Sequence, residues 1–344
     1  MLFSKLLIIL YALFLQMNVS VDGQACRKDL PQQVRLAIRD KDWVTISWKT
    51  YGYFNGSDDT PQPQVQYNTD GDFSRFYYNT SIGNSSIYDK LKNISWFHDC
   101  NITVKFSQTY FYRIPGGECV IQSETYTFNS QPEAGDKSPI NITIFGDLGY
   151  DTKHNHGAAT KTINALIDVP NSTSFYLHIG NILYANEHLR PEIIAAEYEP
   201  VWNNFQQSMQ LVTSTKFYMT TPGNHEVTCV QVNDTICTGE NEHIIQEFVN
   251  IMLQYRNFSA YIHRFYMLGT DGKSNDNYRN LWYSFDYGLA HIVVINTETD
   301  FEGVPSDSNM KLNGSNFAPP GIQVTWLIND LKKPTITVRK FHGS

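Results

Sequence analysis

The sequence predicts two domains in series, an all-β sandwich followed by an α/β layer structure. Three observations predict this. Between about Pro31 and Phe128, apolar residues alternate with polar ones: Val34, Leu36, Ile38, then Val44, Ile46, Trp48, then Ile102, Val104, Phe106. Period-two alternation marks a strand with one buried and one wet face. Beyond about Pro139 the pattern changes to short apolar strands separated by helical stretches, as in α/β layers. Within that half, three strands end in a glycine followed by a side chain able to hold a metal.

The elements follow in order. Lys5 and the apolar run Leu6 to Leu15 read as a signal peptide over residues 1–23, with Val21 and Gly23 placing cleavage before Gln24. A membrane anchor is the alternative, and the shortness of the run weighs against it. No later segment is apolar for the ~18 residues a span requires, so no stable membrane span is expected. The β region covers 31–128. Its stretches Tyr110 to Ile114 and Tyr126 to Phe128 resemble the last two strands of a fibronectin type III-like sandwich, which is expected to prop the second domain. Residues 129–139 are rich in turn formers and read as a linker. The second domain then runs over 140–344. Ala158 to Ile167 and Pro200 to Leu211 read as helices, as does Glu242 to Leu253, with Ile245, Phe248, Val249 and Met252 on one stripe.

A net charge of -8 argues against a phosphate-backbone binder, so no nucleic acid partner is expected. N-x-[ST] sequons start at Asn55, Asn79, Asn84, Asn93, Asn101, Asn141, Asn171, Asn233, Asn257 and Asn313. Ten spread through the chain after the expected signal peptide suggest a glycosylated surface. A chain merely rich in Asn, Ser and Thr, with several sites unused, is the plainer reading. Signal and sequons together predict a secreted or lumenal protein. Five cysteines, Cys26, Cys100, Cys119, Cys229 and Cys237, are then expected to be mostly paired. Cys229 with Cys237 across a short loop is the favoured pair, and Cys100 with Cys119 a second. Connectivity does not follow from sequence. Zinc ligation by cysteines is not expected, because no C-x₂₋₄-C pair occurs.

The chemistry concentrates in three blocks, roughly 35–45 residues apart: Phe145-Gly146-Asp147-Leu148-Gly149, Ile179-Gly180-Asn181-Ile182-Leu183-Tyr184 and Pro222-Gly223-Asn224-His225-Glu226. Glycine allows the sharp turn. The next side chain then enters the crevice at the carboxyl end of the sheet. These blocks resemble the GDxG, GDxxY and GNH(D/E) patterns of the metallophosphoesterases, and closely the purple acid phosphatases of the larger plant and fungal type. The resemblance runs from about Val34 to Lys333, supported by Tyr198 to Trp202, Trp282 to Gly288, Asn296 to Phe301 and Trp326 to Leu331. It implies an all-β fibronectin type III-like sandwich followed by an α/β metallophosphoesterase sandwich with αββα layers.

The resemblance also implies a binuclear centre of Fe(3+) plus a divalent metal, Fe, Zn or Mn. Asp147 and Tyr184 would bind the trivalent iron and Asn224 the divalent ion, and His225 would touch the substrate phosphate. Two departures stand against this. Asn181 occupies the position of the bridging aspartate, and a neutral amide is a poorer ligand for hard cations. The VxxH and GHxH patterns do not occur in the sequence up to Ser344. Val338 to His342 spaces its histidine one residue too far, which turns a strand side chain to the other face. The expectation is therefore a C-terminally truncated phosphoesterase domain with reduced metal affinity.

Other residues have plainer readings. Glu226 is expected to hold its loop. His178 and His291 are expected to be buried, and His188 and His243 exposed. His154 and His156 are the first candidates for substitute ligands, although no substitution is expected. The functional expectation is an acid phosphatase hydrolysing phosphomonoesters. The alternative is a catalytically inactive secreted glycoprotein that keeps the fold.

Overall fold

The computed structural model describes residues 29–51, 62–75, 77–88, 95–117, 120–150, 158–169, 173–185, 198–226, 258–268, 281–297 and 321–332. The signal peptide expected over residues 1–23, the helix expected at Glu242 to Leu253, Cys26, Cys119, Cys229, Cys237, His154, His156, His188, His243 and His342 lie outside these residues. So do the sequons at Asn55, Asn93, Asn171, Asn233, Asn257 and Asn313.

Eight strands come first: β1 (Gln32–Asp40), β2 (Trp43–Tyr51), β3 (Gln64–Asn68), β4 (Asn79–Ile82), β5 (Asn84–Ser86), β6 (Ser95–Thr103), β7 (Thr109–Arg113) and β8 (Tyr126–Asn129). They form two layers. One is β4-β3-β7-β8, and the other begins β5-β6-β2-β1. The second half supplies β9 (Ile142–Phe145), α1 (Ala158–Asp168), β10 (Phe175–Ile179), α2 (Tyr198–Thr213), β11 (Phe217–Thr221), α3 (Ser259–Arg264), β12 (Tyr283–Tyr287), β13 (Ala290–Val294) and α4 (Ile322–Leu331). β9, β10 and β11 are parallel, whereas β12 and β13 form an antiparallel hairpin.

The sandwich does not close at β1. Its layer continues into the α/β half through a parallel pairing of Leu36 with Phe217, giving the order β5-β6-β2-β1-β11-β10-β9. This corrects the alternation expected of β1 and β2. Both strands are buried along nearly their whole length, on both faces. Their polar positions are accordingly paired: Thr45 donates to the amide oxygen of Asn101 at 2.7 Å, and the Ser47 hydroxyl donates to Asp99. β1 is covered by α2, whose Val201, Trp202, Phe205, Met209 and Val212 recur at helical spacing and are buried. The seam is sealed by the Tyr112 hydroxyl, which donates to the Ser214 carbonyl at 2.7 Å, and by an edge-on contact of Phe128 with Phe217.

Two further expectations are corrected. Cys100 is a free, buried thiol that donates to the Pro63 carbonyl at 3.4 Å. Between two sheets it finds an acceptor where a disulfide to Cys119 was expected. His291 is half-buried because it leans out of the β12–β13 hairpin to meet Asp286 and Asp330. Among the sequons within the described residues, Asn79, Asn84 and Asn141 are exposed, while Asn101 is partly buried. Among the described residues no helix is long and apolar enough to cross a membrane.

Candidate functional site

The three glycine blocks meet at the carboxyl ends of β9, β10 and β11. The parallel register puts Phe145 beside His178 and Ile179 beside Thr221, so the following loops leave the sheet side by side. The loops approach too closely for ordinary residues. A Cβ on Gly223 would lie 2.3 Å from Asn181 Oδ1, and one on Gly180 would lie 3.2 Å from the Gly223 backbone. Three non-glycine residues here are left-handed: Asp147 (φ 49), Asn181 (φ 48) and Tyr184 (φ 58). Such conformations cost about 1–3 kcal/mol each and cluster where surroundings force a functional geometry.

Asp147 is the centre of this geometry. Its Oδ1 accepts from Tyr184 Oη at 2.7 Å and from Asn181 Nδ2 at 2.9 Å. Those two hydrogen bonds hold its carboxyl below the usual carboxylate range. Burial first, then the bond to Asp147, push the Tyr184 phenol up to about 12, so it keeps its proton in this arrangement. The other end of the Asn181 amide accepts the His225 N–H at 3.2 Å, and the His225 ring lies 4.0 Å from that of Tyr184. Reversing the amide would set oxygen against carboxylate and NH₂ against N–H, so both neighbours fix its orientation.

Beneath these groups lies a buried layer. Glu226 accepts the N–H groups of Ile182 and Gly223, each at 2.8 Å, and so ties the second loop to the third. Burial pushes its carboxyl up to about 7, against backbone N–H groups that favour the charged form. Glu226 therefore holds the loop, as its sequence position suggested. His178 is fully buried, as expected, and its Nδ1 meets the Tyr218 hydroxyl at 2.6 Å. Burial lowers its pKa to about 3, which keeps it neutral.

The structure thus brings Asp147, Asn181, Tyr184 and His225 into contact. Asn224 stands exposed at the rim of a crevice of about 400 Å³, with Asn181, Thr221 and Gly223 on one wall and Val294 and Ile295 on the other. What sequence reasoning missed is the bond from Asn181 to Asp147. Its signal was present: replacing a carboxylate by an amide adds a donor as well as removing a charge.

Among the described residues the donor set does not make up a binuclear iron centre. It comprises one carboxylate, two amides and a phenol. The amide at the bridging position turns its NH₂ toward the carboxylate. Among the described residues no group of three His, Cys, Asp or Glu side chains is placed to hold a metal ion. Hard cations call for several anionic or imidazole donors.

Sandwich, parallel strands and strand-end loops together define a β-sandwich continued into an α/β layer with the candidate site at its strand ends. The family model for the purple acid phosphatase N-terminal domain matches residues 31–130. The chain is 28% identical to an acid phosphatase of Aspergillus ficuum, over 71% of this chain and 49% of that one. It is 27% identical to acid phosphatase A of Cryphonectria parasitica (93% and 67%) and 24% identical to purple acid phosphatase 21 of Arabidopsis thaliana (92% and 59%). A solved purple acid phosphatase from yellow lupin (Lupinus luteus) seeds superposes with a TM-score of 0.59 at 20% identity, over 80% of this chain and 47% of that one, and shares the fold. The chain is a relative of the purple acid phosphatases, and it spans about half to two thirds of the length of the relatives it matches.

Proposed function

We propose that this chain is an acid phosphatase by lineage whose crevice receives phosphomonoesters. The observation that carries this reading is the convergence of Asp147, Asn181, Tyr184 and His225 at three adjacent strand ends, with Asn224 at the rim. His225 is positioned to meet the phosphate, and Asn224 supplies a polar side chain at the mouth. The apolar N-terminal run Leu6 to Leu15, read as a signal peptide, and the exposed sequons at Asn79, Asn84 and Asn141 support a secreted glycoprotein.

A second reading is favoured by one observation. The Asn181 NH₂ is bonded to Asp147, which suits a protein that keeps the fold and binds a phosphoester without cleaving it. One Arabidopsis thaliana relative, 23% identical, is itself named a probable inactive purple acid phosphatase.

The test assays the secreted chain on para-nitrophenyl phosphate in mild acid, with and without added iron and zinc, beside Asn181→Asp and His225→Ala. The phosphatase reading expects measurable hydrolysis that His225→Ala lowers by about tenfold or more. It also expects Asn181→Asp to raise both metal content and rate. Absence of hydrolysis in both the parent and Asn181→Asp, with phosphate still bound, leaves the second reading.

A further inference from the structure

We propose that a buried monovalent anion of the halide class binds between β1 and α2, held by Arg35 and Gln206. The place is made by an irregularity in β1. Gln33 is left-handed (φ 58), and the register with β2 shifts between Gln32 and Arg35. A bulge of this kind re-aims the side chains around it. Gln33 reaches Asn203 on α2, and its carbonyl takes the Arg35 Nη1 at 3.0 Å.

The rest of the guanidinium lines a small cavity closed by Met209, Thr213, Tyr218 and Phe265. Arg35 is 5% exposed and Gln206 4%. Among the described residues, Arg35 Nε, Arg35 Nη2 and Gln206 Nε2 have no hydrogen-bond partner. A buried donor left unsatisfied costs about 1–3 kcal/mol, and more on a charged group.

The nearby polar oxygens each have one partner, and Asp99 is the carboxylate whose charge acts on Arg35. Gln206 Oε1 accepts Arg264 Nη1 at 2.6 Å, the Thr213 hydroxyl donates to the Val34 carbonyl at 2.8 Å, and the Tyr218 hydroxyl is bonded to His178. The cavity therefore offers N–H donors and a positive charge beside the Thr213 and Tyr218 hydroxyls. The Thr213 and Tyr218 oxygens keep lone pairs for a water's hydrogens, but an anion accepts from all the unpaired donors at once and adds a charge opposite to that of Arg35. There is room for about one water-sized particle, which suits a halide and excludes a tetrahedral oxyanion.

The test is thermal unfolding of the full chain at constant sodium and ionic strength, with gluconate replaced stepwise by chloride or bromide. A ligand that binds only the folded state raises Tm saturably. The expected rise is about 2 °C or more. Arg35→Met should abolish it, and Gln206→Leu should raise the half-saturating concentration severalfold. If Arg35→Met does not fold, bromide-soaked crystals decide by an anomalous peak within hydrogen-bond reach of Arg35 Nε. Equal melting in gluconate and chloride, an undiminished rise in Arg35→Met, or a water without anomalous signal at that position overturns the proposal.

Discussion

Two charged side chains organise this molecule in opposite surroundings. Arg264 is fully buried where α2 meets the β-sandwich. It pairs with Glu199 at 2.6 Å, donates to Gln206, Asn203 and Tyr88, and lies 4.7 Å from the centre of the Phe97 ring. Asp147 is exposed and takes two donors on one oxygen. The first hub is closed on every side and sits in low dielectric, where each bond counts heavily. The second is open to water and can exchange its partners. The comparison teaches that the seam between the two halves fixes the architecture, while the strand ends keep a reachable carboxylate.

The hardest way to break this contrast is Arg264→Met. It leaves Glu199 without its cation and strips donors from Gln206, Asn203 and Tyr88. Removing one partner of a buried ion pair costs about 3–5 kcal/mol. Urea unfolding should show that loss. A change below about 1 kcal/mol would mean the hub contributes no more than an exposed pair.

Glu226→Ala tests where the fixed part of the site begins. Its carboxylate serves the N–H groups of Ile182 and Gly223 in a buried place. Two unsatisfied donors are expected to cost about 2–4 kcal/mol together. Hydrogen exchange should accelerate at the loops carrying Asn181 and Asn224. Unchanged exchange there would place the rigidity in the parallel strands and remove it from Glu226.

Tyr184→Phe probes the open hub itself. It removes the 2.7 Å bond to Asp147 and leaves Asn181 in place. Because the pair is exposed, the loss should not exceed about 1 kcal/mol. The Asp147 carboxyl should titrate higher, since one of the bonds that holds it down is gone. A carboxyl resonance that does not move would separate Asp147 from Tyr184 in solution.

The same contrast explains what was legible in the sequence. The strands, the helices at Ala158–Asp168 and Tyr198–Thr213, and the three glycine blocks were readable because each is a local pattern. The burial of β1 and β2 on both faces was not, because it depends on α2, far along the chain, packing over β1. Arg264 was invisible for the same reason: its partners come from residues 88, 199, 203 and 206. At the strand ends, the meeting of the loops that carry Asp147, Tyr184 and His225 was legible in the three glycine blocks. The orientation of the Asn181 amide was not, since it is set by two neighbours in different loops.

The smallest expected effect tests a third charged cluster that lies between these extremes. On the β12–β13 hairpin His291 faces Asp286 in register and bonds it at 2.7 Å, while its other nitrogen meets Asp330 of α4 at 2.9 Å. Burial pulls the His291 pKa down, but the two carboxylates outweigh it, and the net shift is upward. A histidine raised in the folded state stabilises fully below its unfolded value of about 6.5. That stabilisation is lost as pH rises through the folded value. Asp286 is 41% exposed, so the gain should stay below about 1 kcal/mol. Unfolding of the parent and His291→Gln should therefore differ most near pH 5 and converge toward pH 9. A difference that grows with pH, or never changes, would show that α4 is held to the hairpin by packing of Trp326 rather than by this charge.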